Sequence, residues 1–338
     1  MSRSSPHPSA KPRRHALQAA CAALAATWLG LVAPATAQSG SYPGSRPVTI
    51  VVPWPAGGAT DLAARTFGER LADQLGTSVV IENRPGATGM VGTGYVSRAP
   101  ADGHTLLLAT AETHAINPFT YDKLPYDPAN DFIPVAAFAI NPYALVTRTD
   151  FAAGNTSELV EMVRKSPGKY TYSSAGLGTA SQVVMEMFKN EEGLQTLHIP
   201  YQGEAPAVAA LMAGQVDMMV LPAGRAQTFR NAGKVKVYAV TLPDRFAGMP
   251  DVPTFGEEGF DAIRIANWFA LMTPAGTPNA AVQALAAAVD ATLRQQATAA
   301  ALTKLGLSVF STMPQPEFAS FIDNERERWG RIIKQANI

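Results

Sequence analysis

Few residues in this chain combine the type and spacing that chemistry needs. Of its five histidines, only His104, His114 and His198 lie beyond a basic, apolar leader read at residues 1–37. No two of them stand at metal-ligand spacing, so no metal site is expected. The single cysteine, Cys21, falls inside the leader, which leaves no thiolate ligand, thiol nucleophile or disulfide beyond it. Nucleophile-elbow, zinc-protease and S-x-x-K motifs are missing from the sequence. An enzymatic reading is left with Asp61 and His114 as an acid–base pair for a hydrolase or isomerase, with no nucleophile beside them.

Two glycine-rich junctions carry more information. "VVPWPAGGATDLAARTFGERLADQLG" (Val51 to Gly76) breaks a β-branched run at Pro53 and restarts at helical spacing near Thr60. "YTYSSAGLGTASQVVMEMF" (Tyr170 to Phe188) repeats the plan of strand, small-residue turn and helix. Glycines admit φ > 0 and let a ligand approach the backbone. Thr60 or Asp61 in the first, and Thr179 or Ser181 in the second, are candidate helix caps. A helix N-terminus offers unpaired N–H groups and a partial positive charge, which suits a carboxylate or phosphate. Its dipole contributes only about 0.3–1 kcal/mol. Charge-assisted hydrogen bonds add about 1.5–3 kcal/mol each, so two opposed turns suffice for micromolar binding, about −8 kcal/mol. The first turn lacks the Gly-Lys-Ser/Thr ending of a P-loop, and the second lacks the third glycine of a dinucleotide fingerprint. Trp54 is either a core residue or a wall of the site; its place between two prolines favours the wall.

The elements that must position these turns alternate along the chain. Apolar runs at Pro47–Val52, Ser78–Asn83, Thr105–Thr110, Tyr143–Arg148, Lys169–Ser174, Val216–Leu221 and Val235–Leu242 read as strands. Helical spacing appears at Thr60–Leu75, Thr156–Lys165, Ala205–Ala213, Pro278–Leu305 and Pro316–Gln335. Such alternation predicts α/β architecture with mostly parallel strands. Extended segments at Ala139–Val146 and Arg264–Gly276 are read as crossings between two lobes, 42–141 plus 268–338 and 142–267, with a cleft between them.

The leader joins Arg3, Lys11, Arg13 and Arg14 to an apolar stretch from Ala16 to Ala33 and small residues at Ala35 and Ala37. That is the plan of a secretory signal peptide cleaved near Ala37. A membrane anchor fits less well, since Gly30 and Pro34 break a short, Ala-rich run. Arg13-Arg14 raises the twin-arginine route, and Gln18 stands where a lipobox at Cys21 would need a Leu-like residue. Removing four of the 27 basic residues leaves 23 against 27 acidic ones, a net charge of −4. No basic run remains to engage nucleic acid.

Taken together, these segments resemble the Bug-type receptors of tripartite tricarboxylate transporters. The likeness runs from "YPGSRPVTIVVPWPAGGATD" through "THAINPFTYDKLPYDPANDFIPVA", "YSSAGLGTAS", "IPYQGEAPAVAALMAGQVDMM" and "PDVPTFGEEGF" to "WFALMTPAGTP". It implies a type II periplasmic-binding-protein fold, two α/β lobes joined by two crossover strands around a ligand cleft. It also implies a monomeric, non-catalytic periplasmic receptor without cofactor, capturing a small carboxylate. The partners implied are integral-membrane transporter subunits, or a membrane sensor kinase if the receptor serves sensing.

Carried over residue by residue, the first binding turn is Pro55, Ala56, Gly57, Gly58, Ala59, Thr60 and Asp61, with Trp54 beside it. The second is Ser173, Ser174, Ala175, Gly176, Gly178, Thr179, Ala180, Ser181 and Gln182. Thr113, His114 and Asn117 are expected to line the cleft, and Tyr201 and Trp268 are candidates for its walls. Two positions depart from the family pattern. Gln182 replaces a usual histidine. Glu112 stands where a small or polar residue is common, and an acid there would repel a second carboxylate or receive an amine.

Overall fold

β-Branched and leucine-rich runs set the strands, and the polar turns between them set their ends. The computed structural model describes residue 1, residues 42–310 and residues 313–336. Apart from Met1, the leader and its cleavage site lie outside the described residues. β1 (Val48–Val52) feeds α1 (Ala59–Leu75), followed by β2 (Val79–Asn83), α2 (Met90–Val96) and β3 (Thr105–Thr110). A π-helical turn, Glu112–Ile116, then leads into the short α3 (Asn117–Thr120). β4 (Phe132–Arg148) opens the next stretch, which holds α4 (Thr156–Lys165), β5 (Thr171–Ser174), α5 (Ala180–Glu192), β6 (Leu197–Pro200) and α6 (Glu204–Met212). It continues through β7 (Met218–Pro222), α7 (Ala223–Asn231) and β8 (Val235–Val240) to β9 (Ala266–Pro274). The chain closes with α8 (Asn279–Leu293), α9 (Gln296–Lys304), β10 (Ser308–Val309) and α10 (Gln315–Ala336).

The strands hydrogen-bond along the path β2-β1-β3-β9-β4-β7-β5-β6, with β8 and β10 also paired to β4. β1 is parallel to β2 and β3, and β5 is parallel to β6 and β7. β9 is antiparallel to both β3 and β4, and β4 is antiparallel to β7 and β8. The expectation of mostly parallel strands is thus corrected to a mixed sheet. Apolar periodicity reports which faces are buried and carries no direction, so the antiparallel sense of β4 and β9 was invisible to it.

β4 belongs to two sheet sections in turn. Residues 132–142 pair with β9, ending at Asn141 opposite Asn267 and Pro142 opposite Ala266. From Tyr143 onward the same strand pairs with β7 on one side and β8 on the other. Pro142, which has no N–H to give a ladder, sits where the partner changes. The sequence placed extended backbone here only from Ala139; the strand begins at Phe132.

α1 buries Ala63, Ala64, Phe67 and Leu71 against β1, β3 and β9, in a core shared with Phe138, Phe269 and Leu285. Phe67 stacks on Phe138 with ring centroids 4.4 Å apart. α5 turns Val183, Val184, Met187 and Phe188 inward beside Tyr172 and Trp329. Both helices end at a left-handed glycine, Gly76 (φ 66°) and Gly193 (φ 61°). The single helix expected over Pro278–Leu305 is broken at Arg294–Gln295, where Gln295 is extended. Nothing in that Ala-rich stretch signals the break. Packing imposes it, since α9 turns back to bury Thr298 and Leu302 against the α1 core.

Candidate functional site

The first glycine turn is held by its own side chains. Gly57 adopts φ +83°, and Gly58, extended at φ −78°, is the residue from which α1 starts. Asp61, 2% exposed in the first turn of α1, accepts the Gly57 N–H at 2.9 Å. It also accepts Arg65 Nε at 3.0 Å and Asn83 Nδ2 at 2.9 Å. Burial pushes its carboxyl up, but the bonds from Arg65, Gly57 and Asn83 outweigh burial and hold it below the ordinary aspartate value. Asn83 Nδ2 further donates to Trp54 O at 3.1 Å, tying the turn to the end of β2. Asp61 is therefore spent on the shape of the loop.

The second turn repeats the device with other residues. Gly176 (φ +143°) and Gly178 (φ +70°) bend it, and Thr179 starts α5. The Gly178 N–H donates to Gln182 Oε1 at 2.7 Å, and Thr179 Oγ1 donates to Gly176 O at 2.8 Å. Ser174 Oγ accepts the Gly176 N–H at 3.2 Å and meets His198 Nε2 at 2.7 Å, while Ser173 Oγ donates to Ala207 O at 3.3 Å. Gln182 thus does for this loop what Asp61 does for the first.

Neither α1 nor α5 is capped by the side chain of its N-cap residue; Thr60, Asp61, Thr179 and Ser181 do not serve as the caps their types suggested. α4 shows what a capped start looks like in the same molecule. Asn155 Oδ1 accepts the Glu158 N–H at 2.9 Å, and Glu158 Oε2 accepts the Gly154 N–H at 2.7 Å. The first turns of α1 and α5 instead open on one cavity. Trp54, Pro55, Ala56, Gly58, Ala59 and Thr60 form one wall, and Ala175, Thr179 and Ser181 form another. Trp54 Nε1 is buried without a partner among the described residues.

The floor comes from residues that the sequence reading did not place. Asn141 and Tyr143 reach it from β4, Met219, Val220 and Pro222 from β7, Asn267 from β9, and Glu204 and Ala205 from α6. Glu112, noted as a departure, also lines it. Its Oε1 accepts the Ala180 N–H at 3.3 Å and its Oε2 accepts Asn267 Nδ2 at 2.7 Å. Asn267 Oδ1 in turn accepts the N–H groups of Ala111 and Trp268, both at 2.9 Å. Burial and then the charge of Glu112 push the Tyr143 hydroxyl well above the ordinary tyrosine value. Glu204 pairs with Arg225 Nε at 3.0 Å. Burial raises its carboxyl above the ordinary value, against the Arg225 charge and hydrogen bond and the Ala59 N–H. The twofold Asn at the sheet crossing, Asn141 opposite Asn267, was the one available signal for this floor.

Above the cavity the two sections touch. Thr88 Oγ1 donates to Leu177 O at 2.8 Å, and Tyr121 OH donates to the same carbonyl at 3.2 Å. Thr88 holds φ 50° and its neighbour Ala87 φ 46°, a left-handed conformation that costs non-glycine residues about 1–3 kcal/mol each.

Several expected residues stand outside the cavity. Thr113 and His114 are fully buried behind its wall. Thr113 Oγ1 meets His114 Nδ1 at 2.8 Å, and the imidazole packs edge-on to Phe132. Burial first, and Arg326 second, lower the His114 pKa to about 3, so the ring is neutral. Asn117 Nδ2 donates to Thr88 O at 3.0 Å, supporting the strained loop. Trp268 is 2% exposed in the core beside Phe321, and Tyr201 packs against the core under α6 and α7. Gly57, Asp61, Gly176, Gly178, Ala180 and Gln182 shape the turns without lining the space. The suggested acid–base pair, Asp61 and His114, does not meet in it. Asp217 accepts the Thr171 N–H at 2.9 Å at the start of a strand, away from this floor.

Known proteins share this fold. The profile of the tripartite tricarboxylate transporter family receptor matches residues 63–338. The periplasmic binding protein BugD is 34% identical and superimposes with a TM-score of 0.82, covering 87% of this chain and 98% of its own. An R. palustris protein with adipate is 32% identical, with a TM-score of 0.84 over 88% of this chain and 99% of that one. MatC from Rhodopseudomonas palustris with bound malate is 34% identical, with a TM-score of 0.78 over 85% and 99%. Among the described residues no helix is long and apolar enough to cross a membrane.

Proposed function

The chain belongs to the tripartite tricarboxylate transporter family of receptors, and from that premise we propose that it captures a small carboxylate in the periplasm for membrane transporter subunits. The observation that carries this reading is the pair of helix starts, α1 and α5, that take no cap from their own N-cap residues and open on one cavity from two sheet sections. Each start offers N–H groups and a partial positive charge without the desolvation cost of a lysine or arginine. The related structures that hold adipate and malate support a carboxylate as the cargo. Trp54 contributes a flat wall.

In this reading residues 42–141 with 268–338 form one lobe, and residues 142–267 form the other. They turn about the Asn141–Pro142 and Ala266–Asn267 crossings. Ligand favours the closed form, because only there do both sets of N–H groups meet the same molecule. The test is calorimetry with a panel of small mono- and dicarboxylates, alongside small-angle scattering and tryptophan emission. The expected result is micromolar binding of at least one carboxylate, compaction, and an emission change that Trp54→Phe abolishes. Absence of binding across the panel at millimolar concentration would overturn the reading.

A further inference from the structure

The cavity that receives the ligand already contains carboxylates of its own. Glu112 is 4% exposed, and its Oε1 takes the N–H of Ala180, the first residue of α5. That N–H is one a ligand carboxylate would otherwise claim. Glu204 lies in the same lining and lends negative charge near Ala59, the first residue of α1. The two acids differ in one respect. Glu204 has Arg225 as a cationic partner, whereas Glu112 is held by neutral groups, the Ala180 N–H, Asn267 Nδ2 and the Tyr143 hydroxyl. Among the described residues lining the cavity there is no lysine, arginine or histidine to offset it.

A dicarboxylate would bring two negative charges to a space where the α5 end is occupied by a third. Backbone dipoles supply only partial charges, equivalent to about half an elementary charge per helix. One ligand carboxylate can still sit on α1, whose Thr60 lines the cavity and where Arg225 offsets the charge of Glu204. At the other end, the uncompensated group is Glu112. We infer that the ligand is a small zwitterion, its carboxylate on the start of α1 and a cationic ammonium group against Glu112. The ammonium group supplies the counter-charge that this side chain lacks within the protein. Tyr143, whose hydroxyl accepts from Asn267 Nδ2 at 3.3 Å, completes the polar surround at that end.

This rests on the carboxylate-capture reading, and the experiment separates the two. Calorimetry on the unmodified protein compares matched pairs, γ-aminobutyrate with glutarate and β-alanine with succinate, together with butyrate and the diamine putrescine. The expected result is that one amino acid of a pair binds at least about tenfold more tightly than its diacid, the scale of one well-placed buried charge pair. Glu112→Gln should collapse that ratio by weakening the amino acid and strengthening the diacid. Preference for the diacids would overturn the zwitterion proposal and leave carboxylate capture standing. Binding of putrescine alone, or of none of these compounds, would overturn both. A ratio that survives Glu112→Gln would show that another group reads the ammonium. Should the variant fail to fold, the panel on the unmodified protein decides by itself.

Discussion

His114 is placed to make this protein acid-sensitive without touching its ligand. The ring is fully buried against Phe132 and Tyr126, and Arg326 Nε donates to the His114 carbonyl at 3.2 Å. These surroundings reject a second proton and lower the pKa from 6.5 to about 3. Between those two values the unfolded chain binds a proton that the folded protein refuses, so stability falls as pH falls across that window. The loss begins near the unfolded value and levels off below the folded one. At about pH 5, roughly 1.5 pH units under the unfolded value, and at about 1.36 kcal/mol per unit, it amounts to about 2 kcal/mol. The perturbation is His114→Asn, whose amide can keep a partner for Thr113 Oγ1 in place of Nδ1. The smaller side chain leaves a cavity that lowers stability equally at every pH, so the readout is the slope. Urea unfolding near pH 7 and near pH 5 should show the unmodified protein losing about 2 kcal/mol more than the variant. His198, lowered to about 4 by burial, contributes in the same direction in both proteins and cancels. Parallel stability curves would refute the assignment of a neutral, purely structural imidazole.

The two turns separate affinity from stability. Gly58 is extended, and an added Cβ would meet only Pro55 O at 3.7 Å. Gly58→Ala should therefore leave thermal melting unchanged while weakening ligand severalfold in calorimetry, because the new methyl projects from a cavity wall. Gly178 has φ +70° and its Cβ would stand 2.9 Å from Thr120 Oγ1, so Gly178→Val should lower stability by about 1–3 kcal/mol in urea unfolding. Asn155→Ala removes the α4 cap and should cost about 1 kcal/mol of stability, with ligand affinity unaltered.

How much of this was legible in the sequence varies with the length scale of the interaction. The strand–turn–helix junctions were readable because glycine, proline and a helical apolar stripe sit within one short window. That the turns need positive φ was legible, but not that it falls on Gly57, Gly176 and Gly178 and spares Gly58, since composition cannot order two adjacent glycines. Asp61 and Gln182 were placed in the turns as binding residues, and in the structure they accept the loops' own N–H groups. The cavity floor was not legible. Asn141 and Tyr143 of β4, Glu204 of α6 and Asn267 of β9 lie in three separate stretches, and only tertiary packing, the β4–β9 pairing included, brings them together. His114 and Trp268 were misplaced toward the cleft for the converse reason. A motif places a residue near a site, and only packing decides which way its ring faces.

The path of β9 has a consequence for how the molecule comes together. β3 completes its ladder by pairing Leu107 with Met272 and Thr110 with Phe269, partners that arrive only after β4 to β8 have been made. The strands β5 to β8, by contrast, follow one another without interruption. The entropy of closing so long an excursion rises only logarithmically with its length, but pairings of such sequence separation slow the search for the native arrangement. The space between the two sections therefore depends on the pairings of greatest sequence separation, those that bring β9 back to β3.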